Sequence, residues 1–426
     1  MRKRILYLAP ALPVLTCTFI YREIFDLRQL GFEIDTVSMN TPPANRVSDE
    51  AREFLESTLY LDQVRESTKL FAFFKALALR PAALLRCLRI FFTAAPMKSF
   101  RDYQRLGYHL VEACYLAMKF RHRKPDHMHS HFVTGATSIN MFLSQFLDVP
   151  FSFTMHASAI WVDPIALIPK LERCSFCVSI SEYNKRYVAS TYGKQWDAKI
   201  NVVHCGISLA DIEPLPPSPP SEGPVRILAV GQLMKRKGYH VLVEAAHILK
   251  ESGLDLRWTI VGEGNERPRL EGMIDEYGLA AEVLLVGARP HEEIVQFAAA
   301  ADIFTLPCVI GEDNTRDGIP VALMEAMAWR LPVVSTNIVG LPELIDSGVN
   351  GILVEAENPG ALAAAIRELA ESPELRRRLG DAAHSKIERD FNARRSAGAL
   401  ADLFARSSSP RGTEANRPLR EKEAAE

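Results

Sequence analysis

Fourteen residues near the middle of the chain, Asp211-Ile-Glu-Pro-Leu-Pro-Pro-Ser-Pro-Pro-Ser-Glu-Gly-Pro224, include six prolines. Each proline removes a backbone donor and locks φ, so this stretch suits neither a helix interior nor a central strand. It predicts a stiff linker, residues 211–224, with a separate folded segment on each side. At 426 residues and 48% hydrophobic, the chain is long enough for two or three cores. Before the linker, Arg4–Ala9, Glu33–Ser38, His127–His131, Phe151–Met155 and Cys177–Ile180 read as strands, and Phe19–Leu30 as a helix. After it, strand runs at Val225–Val230, Leu256–Val261, Val283–Val286, Ile303–Leu306, Pro332–Ser335 and Gly351–Val354 alternate with helical periods. Such alternation predicts an α/β fold: two doubly wound, Rossmann-like domains, 1–210 and 225–390, facing a central cleft. A C-terminal helix, 391–406, follows. The tail 407–426 has Leu419 as its one large apolar side chain and is expected to be disordered.

A net charge of −2 offers no basic footprint for nucleic acid. Seven cysteines at scattered spacings do not form a disulfide framework, so a reducing, cytoplasmic compartment is expected. Cys174 and Cys177 make a C-x-x-C pair inside an apolar run, which favours buried thiols over a metal or redox site. The basic, apolar N-terminus superficially resembles a signal peptide. Pro10 and Pro13 interrupt it without a small-residue cleavage site, which favours a first buried strand. No run approaches the roughly 18 apolar residues that span a bilayer. From about Glu66 to Phe120 the pattern changes to long helices, with Phe71-Ala-Phe-Phe, Ile90-Phe-Phe and interspersed Arg80, Arg86, Arg89, Lys98, Arg101 and Arg105. A surface of this kind can rest peripherally on the inner face of a membrane, or simply cover a sheet with solvated arginines.

Two stretches carry chemistry. Asp317-Gly-Ile-Pro-Val-Ala-Leu-Met-Glu-Ala-Met-Ala-Trp329 places a carboxylate on a loop, Pro320 at a helix start, and Glu325 just over one turn inside. Helix-start N–H groups suit anionic oxygens, and the two carboxylates suit sugar hydroxyls. Val230-Gly-Gln-Leu-Met-Lys-Arg-Lys-Gly238 is a strand, glycine turn and basic helix start. Gly231 allows close backbone approach there, and Lys237 can neutralise phosphate. Alone, either stretch is also what an ordinary strand–loop–helix junction looks like.

Together they resemble the nucleotide-sugar glycosyltransferases of GT-B fold, in particular the retaining group designated family 4. Val261-Gly-Glu-Gly, Val286-Gly-Ala-Arg-Pro, Ala300-Ala-Asp-Ile-Phe-Thr-Leu-Pro and Asn337-Ile-Val-Gly-Leu-Pro-Glu-Leu-Ile extend the likeness. The N-terminal Leu12-Pro-Val-Leu-Thr-Cys-Thr-Phe-Ile-Tyr-Arg-Glu23 is similar to exopolysaccharide or colanic-acid-type members. The resemblance implies that Glu325 binds the nucleotide ribose and Asp317 the donor sugar. Backbone N–H groups near Gly318 and Ile319, with Lys237, would stabilise the diphosphate. Phe153-Thr-Met-His156-Ala resembles the family's strand-end histidine, which implies contact between His156 and the sugar or acceptor. Two departures stand out. The family usually has Glu where this chain has Asp317, and Arg where it has Gln232, with Arg236 a candidate replacement cation.

The resemblance implies that no bound metal is needed, and no other cofactor is expected. His127, His129 and His131 would share one strand face, but no acidic or cysteine ligand is evidently placed with them. Gly262-Glu-Gly264 begins like a dinucleotide fingerprint and lacks its third glycine. The expected function is transfer of a hexose, with retention, from a nucleotide-diphosphate sugar to a glycan or lipid-linked acceptor in envelope polysaccharide synthesis. The alternatives are a non-catalytic nucleotide-sugar-binding or scaffolding relative, and a GT-B epimerase or phosphorylase.

Overall fold

The structure is a computed structural model and describes residues 3–14, 17–43, 51–93, 99–156, 160–161, 164–212, 215, 223–311 and 314–407. Within these, the chain forms two compact units. One comprises described residues of Met1–Ile180, Lys185–Val203 and the segment from Ser396 onward; the other comprises Ser181–Asn184 and His204–Arg395. Most of the expected linker, and the tail beyond Ser407, lie outside the described residues.

In chain order, the elements up to residue 203 are β1 (Arg4–Ala11), α1 (Thr18–Gln29), β2 (Glu33–Asn40), α2 (Glu53–Ser57), β3 (Thr58–Tyr60), α3 (Glu66–Leu79), α4 (Pro81–Thr93), α5 (Phe100–Phe120), β4 (His127–His131), α6 (Gly135–Leu147), β5 (Phe151–Met155), α7 (Leu167–Arg173), β6 (Phe176–Ser179), α8 (Glu182–Tyr192) and β7 (Ile200–Val202). The strands pair in parallel in the order β3-β2-β1-β4-β5-β6-β7. Central β1 is buried on both faces from Arg4 to Ala9, as a parallel strand between helical layers must be. Helix α1 covers one face by burying Ile20, Tyr21, Ile24 and Leu27, a stripe at helical spacing. Helix α5 begins at a capping box in which Ser99 and Asp102 exchange side-chain and backbone bonds.

The second set is β8 (Val225–Val230), α9 (Tyr239–Glu251), β9 (Leu256–Val261), α10 (Arg267–Glu276), β10 (Val283–Gly287), α11 (His291–Ala300), β11 (Ile303–Leu306), α12 (Val321–Ala328), β12 (Val333–Thr336), α13 (Leu341–Leu344), β13 (Ile352–Val354), α14 (Pro359–Glu371) and α15 (Pro373–Asp390), followed by α16 (Ala393–Ser407). Its sheet is also parallel throughout, in the order β10-β9-β8-β11-β12-β13. Both units thus show the doubly wound Rossmann-like pattern that the alternation predicts. The C-terminal helix α16 turns Ala397, Leu400 and Phe404 into the core of the first unit, where Phe404 meets the rings of Phe32, His127 and Phe176. Cys174 and Cys177 are buried free thiols, both held protonated by burial, with Cys174 pushed up to about 12.

Candidate active site

In the second unit, the loops at the carboxyl ends of β8, β9, β10, β11 and β12 build one polar cluster. The loop after β8 is bonded to the next loop in register: Gly231 N–H donates to Val261 O at 3.0 Å and Leu233 N–H to Glu263 O at 2.9 Å. Gly262 closes the contact. Its φ is +153°, and a Cβ there would lie 2.0 Å from Gly231 O. Gly238 has φ +72°, and a Cβ there would fall 1.8 Å from Pro307 O. Only glycine fits where this basic loop crosses the exit of β11. Tyr239 Oη donates to Gly231 O at 2.9 Å and stands 3.1 Å from where a Gly231 side chain would begin.

These constraints present Arg236 and Lys237 to the loop before α12. Arg236 Nε lies 2.9 Å from Asp317 Oδ1, and Lys237 Nζ lies 2.7 Å from Asp317 Oδ2. Burial alone would raise the Asp317 pKa, but Lys237 and then Arg236 outweigh it and hold the carboxyl below its ordinary range. Two cations on one carboxylate leave a net positive site. Pro320 is the residue just before the helix, so α12 starts at Val321 and Glu325 stands half-buried just past the first turn. A Cβ on Gly340 would come within 3.0 Å of Ile319 Cγ1, so the Gly318–Ile319 loop packs on the turn after β12. Asp317, Lys237, Arg236 and Gly231 are therefore brought together, with Gly318 and Ile319 leading into the helix that carries Glu325. Gln232 is exposed, and Arg236, its suggested replacement, is engaged with Asp317.

Sequence reasoning missed Glu343. Its carboxylate accepts from the N–H groups of Glu182 at 2.8 Å and Tyr183 at 2.7 Å, and lies 3.1 Å from His204 Nε2. Burial pushes its pKa up, but these bonds, His204 first, outweigh that and leave it lowered. The family resemblance takes in the stretch Leu341-Pro-Glu-Leu but implies no role for its acid.

His156 belongs to the first unit, at the end of β5, and is buried. Its Nε2 is 3.0 Å from His131 Nδ1, and His131 Nε2 is 3.0 Å from Glu23 Oε1. The expectation that no acid accompanies the histidines is corrected here. Helix α1 packs across β1 and brings Glu23 to them, a contact between residues 108 apart in sequence. Ligand atoms of Glu23, His129 and His131 lie within 4.8 Å of one another, close enough to suggest a metal. Yet His129 is bonded through both nitrogens, to Ser152 at 2.8 Å and Thr154 at 3.0 Å, and His131 through both of its own. A metal would have to displace those bonds. Burial drives the pKa values of His156 and His129 well below the ordinary value, with neighbouring His131 adding to it, so both rings are neutral. His127, pushed down to about 3 by burial and then Lys3, is neutral as well. Phe132, in left-handed backbone at φ +68°, and Phe19 each set a ring centroid 4.6 Å from that of His156.

Two parallel doubly wound units, one with a basic glycine loop beside an acidic helix start, define the class of GT-B glycosyltransferases. Residues 18–211 match the model "Glycosyltransferase Family 4", and residues 212–386 match "Glycosyl transferases group 1". The chain belongs to the family 4 glycosyltransferases of GT-B fold. It is 38% identical over 200 residues to WcaL of Escherichia coli, whose name assigns it to colanic acid biosynthesis (46% of this chain, 48% of that protein). It is 41% identical over 183 residues to the amylovoran biosynthesis glycosyltransferase AmsK of Erwinia amylovora (43% of this chain, 45% of that protein). These matches span about half the length of the curated relatives. HepE of Anabaena, solved in complex with UDP, shares the fold with TM-score 0.68 at 15% identity, covering 95% of this chain and all of that one.

Proposed function

We propose that this protein transfers a hexose from a nucleotide-diphosphate sugar to a glycan or lipid-linked acceptor, with retention and without a bound metal, in envelope polysaccharide synthesis. The observation that carries this reading is the Asp317–Arg236–Lys237 cluster at the start of α12, with Glu325 one turn further on. Leaving-group charge grows on the diphosphate mainly in the transition state, where fixed cations and helix-start N–H groups help most. Asp317 holds both cations in place beforehand, so little reorganisation is needed when that charge appears. Its carboxylate has about four lone-pair positions, enough to bind both cations and still accept a sugar hydroxyl. Glu325 accepts from the ribose hydroxyls, and His156 contacts the sugar or acceptor. The names of WcaL and AmsK support an exopolysaccharide role, and the UDP in HepE supports a nucleotide donor. Transfer of labelled sugar from a panel of donors tests this: Glu325→Ala and His156→Ala are expected to lose turnover. Full turnover in Glu325→Ala would refute the donor site.

A non-catalytic, nucleotide-sugar-binding relative is the second reading, motivated by the Gln232 and Asp317 departures, with Gln232 exposed and Arg236 Nε held by Asp317. Tight nucleotide binding without turnover across donors and acceptors would favour it.

Peripheral contact with the inner face of a membrane is proposed for α3 and α4. No described helix is long and apolar enough to cross a bilayer. However, Phe71, Phe74, Leu85 and Phe92 are 68%, 57%, 66% and 74% exposed. Residues 67–93 hold five cations and no acid. Leu85, Arg89 and Phe92 fall on one exposed face of α4, an apolar–cationic mixture suited to anionic headgroups. Sedimentation with vesicles containing anionic lipid at low salt decides it; a protein that stays in the supernatant removes the idea.

A further inference from the structure

Three hydrogen bonds run in series from β1 to the end of β5. Tyr7 Oη donates to Glu23 Oε1 at 2.7 Å, the same oxygen lies 3.0 Å from His131 Nε2, and His131 Nδ1 lies 3.0 Å from His156 Nε2. A carboxylate has no proton to give, so Tyr7 and His131 Nε2 both donate to it. An uncharged imidazole that donates from one nitrogen accepts at the other, whereas an imidazolium donates from both. The direction of the His131 Nδ1–His156 Nε2 bond is therefore set by His131: where that ring is uncharged its Nδ1 accepts, and His156 carries its proton on Nε2. The Nδ1 of His156 is left with a lone pair. His129 does not compete, since Ser152 and Thr154 take both of its nitrogens.

We propose that His131 sits here as an uncharged ring, and that Glu23 and His131 are positioning residues that hold His156 in the Nε2–H tautomer, so that it meets a substrate hydroxyl only as an acceptor. This rests on the reading of His156 as a contact to the sugar or acceptor. It adds a constraint on that contact: the substrate group there must be a hydrogen-bond donor, so a hydroxyl is accepted and its O-methyl ether is rejected. It also removes His156 as a proton donor to the leaving diphosphate. The rings of Phe19 and Phe132 pack against the imidazole and restrict its rotation, and the hydrogen-bond series sets which nitrogen carries the proton. Glu23 itself lies in the N-terminal stretch that resembles exopolysaccharide-type members.

The test is a long-range proton–nitrogen correlation spectrum of the full chain, labelled at histidine and recorded near neutral pH. Wild-type His131 and His156 are expected as neutral rings protonated on Nε2. Glu23→Gln keeps an oxygen that accepts from the same two donors, so it should keep both tautomers and most of the turnover. Glu23→Leu removes the acceptor. Its His156 signals should move towards a mixture, with kcat down roughly 10- to 100-fold and donor KM within about twofold. A wild-type His156 protonated on Nδ1, or either His131 or His156 present as imidazolium, overturns the proposal, as does Glu23→Leu with unchanged tautomers and kcat. The wild-type spectrum needs no variant, so it decides even if Glu23→Leu does not fold. If His156→Ala keeps full turnover while the wild-type tautomers are as expected, the sugar-contact reading fails; the bonding pattern then stands without a positioning role.

Discussion

The acidic loop of the second unit and the histidine cluster of the first both keep polar side chains from bulk water, by opposite means. Around Asp317, charge is retained and matched: one carboxylate takes two cations, and its pKa drops although burial works against it. Around His156, charge is removed from two rings: burial keeps His129 and His156 neutral, and His156 bonds through His131 to Glu23. The first arrangement suits a ligand that brings negative charge. The second suits one that offers hydroxyls, because a neutral ring can orient an uncharged group without attracting a counter-ion.

The largest expected effect falls on the charged cluster. Lys237→Ala should lower transfer at least 100-fold, about 3 kcal/mol of transition-state stabilisation, in protein still folded at the assay temperature. A loss confined to KM would mean that Lys237 only binds the donor. Next, Gly238→Ala places a side chain against Pro307 O in a left-handed backbone and should destabilise the second unit by roughly 2 kcal/mol or more in denaturant titration. A neutral outcome would show that the basic loop is free to move.

Acid separates the two regions. His127, His129, His156 and His109 have folded pKa values below the unfolded value near 6.5, so the unfolded chain holds more protons below that pH. Their contribution is complete above about pH 6.5 and falls with acidification, each by about 1.4 kcal/mol per pH unit. Glu112, raised by burial to about 7, acts in the opposite sense and offsets one of them. Asp317 and Glu343 have lowered values, so their contribution persists until the pH falls below about 4. In the second unit, His240 is lowered by burial as well, but it is only part-buried. Hydrogen exchange at pH 5, corrected for intrinsic rate, should therefore show protection lost in the first unit before the second. Simultaneous loss would contradict the contrast. The smallest effect concerns the exposed helices: Phe71→Ser with Phe74→Ser should change stability by less than about 0.5 kcal/mol each while reducing vesicle binding.

The same contrast explains what could be read in advance. The strands of the second sheet, and β1, β5 and β6 of the first, follow from runs rich in apolar residues, because a central parallel strand buries both faces, whereas the three-residue β3 offers no such run. Asp317, Lys237 and Glu325 were legible because proline, glycine and helix formers fix their spacing within two short stretches. Glu23 was not, since nothing local ties it to His131; a helix crossing the sheet makes that contact. Glu343 was hidden in the same way, its partners His204, Glu182 and Tyr183 being more than 130 residues away. The role of α16 depended on tertiary packing alone, since an apolar stripe at Ala397, Leu400 and Phe404 does not name the core it will join.

The most direct test of the charged cluster is calorimetric titration of UDP-, GDP- and dTDP-linked hexoses into the wild-type protein and Glu325→Ala. At least one donor should bind the wild type, and the variant should bind it roughly 10- to 100-fold more weakly, as expected for losing charged hydrogen bonds to a ribose. Equal affinity in the two proteins would place the nucleotide somewhere other than the start of α12.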